Sequence, residues 1–159
     1  MIRIVRTTSA DKNFLNLVQA LDKLLAILDG DDHAFYAQFN KVETLQHTLV
    51  AYEGEIAVGC GAIKQMDETT AEVKRMYVEE AFRNKGIASM LLAELENWAT
   101  ELGHTRCILE TGIRQTDAIA LYKKNGYRVM ENYGQYAGVE TSVCFEKKFA
   151  NFNLKAVKF

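Results

Sequence analysis

At 159 residues the chain has the length of one ordinary domain with a single core. Hydrophobic residues make up 48% and charged residues 25%, which excludes a disordered chain, and no run approaches the ~20 apolar residues that span a bilayer. A formal net charge of −2 provides no general basic field, which excludes nonspecific nucleic-acid binding driven by phosphate neutralisation, so any anion site must be local.

In chain order, "IRIV" at 2–5 predicts a first strand. The stretch "TTSADKNFLNLVQALDKLLAILDG" then carries Phe14, Leu17, Val18, Leu21, Leu24, Leu25 and Leu28 at helical spacing, entered near Ser9 or Asp11 and closed by Gly30. "DHAFYAQFN" predicts a second short helix. The period then changes: "HTLVAYE", "IAVGCGAIKQM" and "AEVKRMYV" read as three strands joined by tight polar turns, an antiparallel meander. Helical spacing returns over 87–102 and ends at Gly103. A strand, "RCILE", follows, then a helix from about Asp117 to Lys124 stopped by Asn125-Gly126, and finally the strands "YRVM" and "SVCFEKKF". The expected fold is mixed α/β: a mostly antiparallel sheet of about seven strands with about four helices on its two faces, in one domain spanning 1–159. The last residues, "NFNLKAVKF", are apolar enough to pack on the sheet or on a neighbour.

Cys60, Cys107 and Cys144 each sit inside an apolar, strand-like run and lack metal-ligand spacing, so they read as buried small hydrophobes. The three histidines are scattered, and no metal site is expected. "MIRIVRTTSADKNF" lacks the uninterrupted apolar segment of a secretory signal, which makes the cytoplasm the expected location.

The junction "FRNKGIASMLL", 82–92, joins the third meander strand to a helix. A helix start leaves backbone N–H groups unpaired, with the positive end of the macrodipole behind them, and thereby forms an anion cradle. Arg83 and Lys85 add side-chain charge, Gly86 removes the Cβ from the approach, and Ala88 keeps the first turn narrow. Read structurally, the same glycine permits a tight turn and the two cations are solvated. The glycine-lysine-hydroxyl triplet of a phosphate-binding loop is missing, as is the glycine pattern of a dinucleotide fold.

"RNKGIA" resembles the arginine-or-glutamine, x, x, glycine, x, glycine-or-alanine signature of the GNAT superfamily of acyl-coenzyme A N-acyltransferases. "MYV" at 76–78 is similar to that family's cofactor-binding strand, and "AIALYKKNGY" at 118–127 is similar to its segment ahead of the last strands. The resemblance covers roughly residues 2–148 and implies an acetyl-coenzyme A dependent N-acetyltransferase. The pyrophosphate would lie on the backbone of Arg83, Asn84, Lys85, Gly86, Ile87 and Ala88. The pantetheine arm would lie along Met76, Tyr77 and Val78, with Gln115 in the place of a frequent asparagine. Glu80 stands where the family often has proline.

Acyl transfer to an amine needs a proton for the leaving thiolate, donors for the oxyanion and an acceptor for the amine proton. Tyr122 matches the family's proton-donating tyrosine. The backbone N–H of Met76 or Tyr77 is the candidate oxyanion donor, and Glu72 and Glu110 are candidate bases near the mouth of two diverging strands. Each carboxylate also reads as a strand-end charge in solvent. Tyr127 reads as core. Asp32, His33, Tyr36 and Tyr133, drawn from "LDGDDHAFY" and the glycine-rich "ENYGQYAGVETS", are candidate acceptor contacts, since acids with aromatics suit a cationic amine; "DGDD" also reads as a helix-capping loop. The expected partner is a small primary amine or amino-acid-like molecule, with no nucleic acid and no membrane, and the family's habits imply a homodimer. A non-catalytic acyl-coenzyme A sensor and a protein N-acetyltransferase are the competing readings.

Overall fold

A computed structural model describes residues 1–38 and 44–149. The chain runs β1 (Ile2–Thr7), α1 (Lys12–Asp29), a 3-10 turn (Gly30–Asp32), α2 (His33–Ala37), β2 (His47–Glu53), β3 (Ile56–Gln65), β4 (Thr70–Val78), α3 (Ile87–Glu101), β5 (Arg106–Gly112), α4 (Thr116–Lys124), β6 (Arg128–Met130) and β7 (Ser142–Lys148). The expected element order holds throughout. Gln38 ends the described part of the α2 segment, and the expectations placed on Phe39, Asn40 and "NFNLKAVKF" lie outside the described residues.

The seven strands form one sheet in the order β1-β2-β3-β4-β5-β7-β6. Strands β1 to β4 pair antiparallel, β2, β3 and β4 through tight turns and β1 with β2 across the helical segment between them, and β5, β7 and β6 pair antiparallel on the other side. The halves meet in a parallel pairing of β4 with β5 that contains only Thr70↔Arg106, Ala71↔Cys107 and Glu72↔Ile108. Beyond Glu72 the two strands separate.

Alternation along the strands divides the core between the two faces. Leu49, Ala51 and Val73 join Leu91, Leu92, Leu95 and Tyr122 under α3 and α4, whereas Val50, Cys60 and Ala62 pack on Phe14 and Leu17 of α1. Tyr127 is buried in the first cluster, and all three cysteines are buried and free. Helix α1 begins at Asp11, whose side chain accepts from the N–H groups of Asn13 and Phe14.

One irregularity positions the site. The β3–β4 register slips between Cys60 and Ala62, leaving Gly61 opposite Arg75 and Met76. Arg75 adopts φ 60°, a left-handed conformation that costs a non-glycine residue about 1–3 kcal/mol. It is held there by its surroundings. Its guanidinium, nearly buried, donates to Asp22 of α1 at 2.7 Å, and its carbonyl accepts from the Cys60 thiol at 3.2 Å. A Cβ at position 61 would stand 2.6 Å from the sulfur of Met76, so any other residue there would push the Met76 side chain aside.

Candidate active site

Where β4 and β5 separate, a cavity of about 110 Å³ passes through the sheet. On the α1 side its wall carries Leu21, Leu25, Asp29, Tyr36 and Tyr136; on the α4 side it carries Ala118 and Tyr122, with Gln115 at the start of that helix. Glu72, Glu110 and Thr111 come from the separating strands themselves. Of the sequence-predicted site residues, the structure therefore brings Glu72, Met76, Glu110, Gln115, Tyr122 and Tyr36 onto one wall.

Glu110 has its Oε2 buried without a hydrogen-bond partner among the described residues. Burial pushes its carboxyl up to about 7; the Ser142 hydroxyl opposes this, the charges of Asp29 and Glu72 add to it, and Lys74 opposes it. Glu72 is placed differently. The Tyr133 hydroxyl donates to its Oε2 at 2.6 Å, so the carboxylate is tied to the segment before β7. The remaining tyrosines hold that segment in place: the Tyr36 hydroxyl is 2.6 Å from that of Thr141 and 2.7 Å from that of Ser142, and the Tyr133 and Tyr136 rings meet edge to face.

Tyr122 is almost wholly buried, edge-on to Tyr127 at 5.7 Å between centroids. Burial, and secondarily the charge of Glu110, raise its pKa above the ordinary phenol value, so it keeps its proton at neutral pH. Asp32 and His33 lie off the cavity wall. Asp32 stands 3.9 Å from the Arg114 guanidinium, and His33 has a buried Nδ1 without a partner among the described residues.

The helix start also departs from an ordinary turn. Gly86, at φ 81°, is the residue before α3 and supplies no side-chain cap. The Met90 N–H bonds the Gly86 carbonyl at 3.0 Å, which leaves the N–H groups of Ile87, Ala88 and Ser89 with no intrahelical partner. A Cβ on Gly86 would meet nothing within 4 Å. The glycine is thus needed for its left-handed backbone, and the space in front of it is open. Asn84, at φ 64°, makes a second left-handed turn. Arg83 does more than supply charge: its Nε donates to the Val78 carbonyl at 2.8 Å and its guanidinium stands over the Tyr77 ring, fixing the loop to the end of β4. Lys85 is exposed, with its ammonium 5.3 Å from the centre of the Phe82 ring.

Acetyl-coenzyme A fits this frame on two observations: an open, uncapped helix start, and a β4 edge that has no partner strand after Glu72 and can take an extended arm as an added strand. The sequence reasoning missed Asp22, Gly61 and Arg75, which shape the bulge, and it grouped Asp29 with the other acids of "LDGDDHAFY" without singling it out. Two adjacent cations in "EVKRMYV" interrupt strand alternation and were the available signal for the bulge.

Residues 17–127 match the model of the acetyltransferase (GNAT) family. The chain is 32% identical over 154 residues to an IAA acetyltransferase of Azospirillum brasilense, covering 92% of this chain and 97% of that protein. It is 32% identical over 134 residues to an uncharacterized N-acetyltransferase of Escherichia coli K12, covering 79% and 72% respectively. Among solved structures, a Klebsiella pneumoniae protein described as an acyl-CoA N-acyltransferase superposes with a TM-score of 0.80 at 33% identity, over 94% of this chain and 99% of that one. A GNAT family acetyltransferase from Elizabethkingia anophelis with acetyl-CoA bound shares the fold, with a TM-score of 0.65 at 20% identity over 93% and 98% of the two chains. Among the described residues no helix is long and apolar enough to cross a membrane, and no cluster of His, Cys, Asp and Glu could hold a metal ion.

Proposed function

The chain belongs to the GNAT family of acetyltransferases, with acetyl-coenzyme A as cosubstrate, and on that premise we propose that it acetylates the primary amine of a small acceptor by direct attack on the thioester. The observation that carries this reading is the cavity through the sheet, which joins Tyr122 on one face to Glu110 on the other. The thioester lies between them. The free amine attacks the thioester carbonyl carbon; the nitrogen, cationic once bonded, loses its proton to Glu110 as the C–S bond breaks, the Tyr122 hydroxyl proton passes to the departing sulfur, and the proton on Glu110 returns to the Tyr122 phenolate through solvent.

The matched surroundings support this division of labour. A carboxyl near 7 is ionised in an appreciable fraction of molecules at neutral pH, yet basic enough to take a proton from a desolvated ammonium. A buried phenol holds its proton until a stronger base appears beside it. The thiolate released into the same dry cavity is such a base, because desolvation raises its proton affinity as well. At the bulge Gly61 stands opposite both Arg75 and Met76, and the Met76 N–H is the candidate donor to the developing oxyanion. Glu72, tied to Tyr133, serves as a fixed negative charge facing the acceptor.

Coenzyme A release from acetyl-coenzyme A across a panel of amines tests the reading. Turnover should fall about 100-fold or more in Tyr122→Phe while acetyl-coenzyme A binds as before. Tight acetyl-coenzyme A binding without turnover on any amine would favour a sensor, which has no use for a proton donor beside the sulfur. A cavity of about 110 Å³ favours a small acceptor, or one that inserts only a narrow arm, over an extended protein segment.

A further inference from the structure

Asp29 is the last residue of α1, where the helix dipole is negative, and the last turn of that helix contains no basic residue. It is 7% exposed. Arg114 Nη1 donates at 2.9 Å to the backbone carbonyl of Asp29, and the Asp29 side chain does not cap the 3-10 turn that follows. Burial raises its pKa, with His33 and Arg114 opposing and Asp32 adding to the rise. A buried anion in this position weakens the fold, and the nearby charges of His33 and Arg114 offset only part of that cost.

Its placement gives it another use. Asp29 lies on the cavity wall with Glu72 and Glu110, and a Cβ at Gly112 would stand 3.6 Å from its Oδ1 and 3.3 Å from Gln115 Nε2, so glycine keeps this corner open. Thr111, on the same wall and 4% exposed, has an Oγ1 without a partner among the described residues, as does Glu110 Oε2. The cavity therefore contains buried polar atoms that a polar ligand would satisfy.

The charges on the wall narrow the ligand. Arg75 faces Asp22, which leaves Lys74 opposite three carboxylates. When Glu110 takes the amine proton, Asp29 and Glu72 still outnumber Lys74 on the wall; Arg114, off the wall, is shared between the Asp29 carbonyl and the Asp32 carboxylate. An acceptor bearing a carboxylate would enlarge that excess, whereas one bearing a second cation removes it. The volume is below the roughly 150 Å³ that accommodates benzene, so the arm between the two nitrogens is short.

We infer that the acceptor is a compact diamine, one nitrogen acetylated beside Glu110 and the other, still cationic, held at the Asp29 carboxylate. The inference rests on the acetyltransferase reading above. It is tested by coenzyme A release with the full chain, acetyl-coenzyme A and three acceptors built on the same four-carbon chain: the diamine, the monoamine and the ω-amino acid. The diamine should exceed the monoamine by about tenfold in kcat/KM, with the amino acid slowest. Asp29→Asn should remove most of that preference while raising Tm, and Asp29→Glu should retain part of it; a purely structural residue would lower Tm and leave the ranking alone. An amino acid that matches the diamine, or an Asp29→Asn variant that slows all three acceptors alike, overturns the inference and leaves the acetyltransferase reading intact. If none is acetylated, calorimetry on the coenzyme A complex separates the two claims. Tighter binding of diamine than of monoamine, lost in Asp29→Asn, sustains the inference without the proposed chemistry, and equal or undetectable binding overturns it.

Discussion

The starts of α1 and α3 face the same physical demand and meet it in opposite ways. At α1 the Asp11 carboxylate takes the N–H groups of Asn13 and Phe14 and is itself bonded by the Thr7 hydroxyl at 3.1 Å. At α3 the residue in that position is Gly86, with no side chain, so the first-turn donors face open space. The contrast extends across the molecule. Around β1, Arg6 binds both Glu94 and Glu101 of α3 and lies over the Trp98 ring, so its charges close on one another. Around the β4–β5 opening, Glu110, Thr111 and Asp29 hold polar atoms that the fold leaves open. Groups satisfied within the chain support the fold, and groups left open are available to a ligand; substitutions in the two regions should accordingly affect different observables.

Beyond the loss at Tyr122, the largest effect is expected at Glu110. Glu110→Gln should lower kcat/KM about 100-fold and abolish the rise in activity that the wild type shows as pH increases through about 7. Stability should move in the opposite sense. The folded-state pKa lies above the ordinary carboxylate value, so the contribution of Glu110 is full below the unfolded pKa and is lost as pH rises through about 7. Urea unfolding should thus show less dependence on pH over that range in the variant. A variant that keeps wild-type turnover but unfolds more readily would move Glu110 into the self-satisfied class.

Gly86→Ala sharpens the contrast at the helix start. No neighbour obstructs a Cβ there, so the effect comes from the left-handed backbone, about 1–2 kcal/mol for a non-glycine residue. If the loop relaxes to a lower φ, the first-turn N–H groups turn away from the incoming pyrophosphate. Acetyl-coenzyme A affinity, measured by calorimetry, should fall about tenfold. A variant that binds normally and only melts earlier would make this helix start an ordinary turn.

The bulge belongs to both regions, being a strained element braced by closed contacts for the benefit of the open one. Asp22→Asn weakens the brace on Arg75. The carboxylate is about half exposed, which limits the loss to about 1 kcal/mol, or a few degrees in Tm. Turnover should fall as well, because the bulge sets the direction of Met76. Loss of stability with unchanged kcat would show that the bulge tolerates an unbraced Arg75.

How much of this was legible in the sequence follows the same division. Elements fixed by local chemistry were readable: Asp11 and Gly30 bracketing α1, the two tight turns of the meander, and Asn125-Gly126 ending α4. The open start of α3 was readable because its signal, a basic loop and a glycine before an apolar helical stripe, lies in one short stretch. The bulge was not. It depends on Gly61, Arg75 and Asp22, which are far apart in the chain and meet only after α1 packs on β4. Glu72 and Glu110 were legible as strand carboxylates near the opening, but their difference rests on Tyr133, 61 residues from Glu72. Asp32 and His33, in the 3-10 turn and at the start of α2, drew attention by composition, whereas Asp29, the last residue of α1, is the acid of that segment on the cavity wall.

The smallest effect is the control for the whole comparison. Asp11→Ala removes a cap with two backbone partners, and the loss of such a cap costs about 1 kcal/mol. Thermal unfolding should record it as a drop of a few degrees, whereas acetyl-coenzyme A affinity and the ranking of acceptors should not change. The two helix starts would then respond in opposite ways, affinity at α3 and stability at α1. If Asp11→Ala also weakened acetyl-coenzyme A binding, the two faces of the sheet would be coupled through its packing, and effects at Glu110 or Gly86 could no longer be assigned to local chemistry alone.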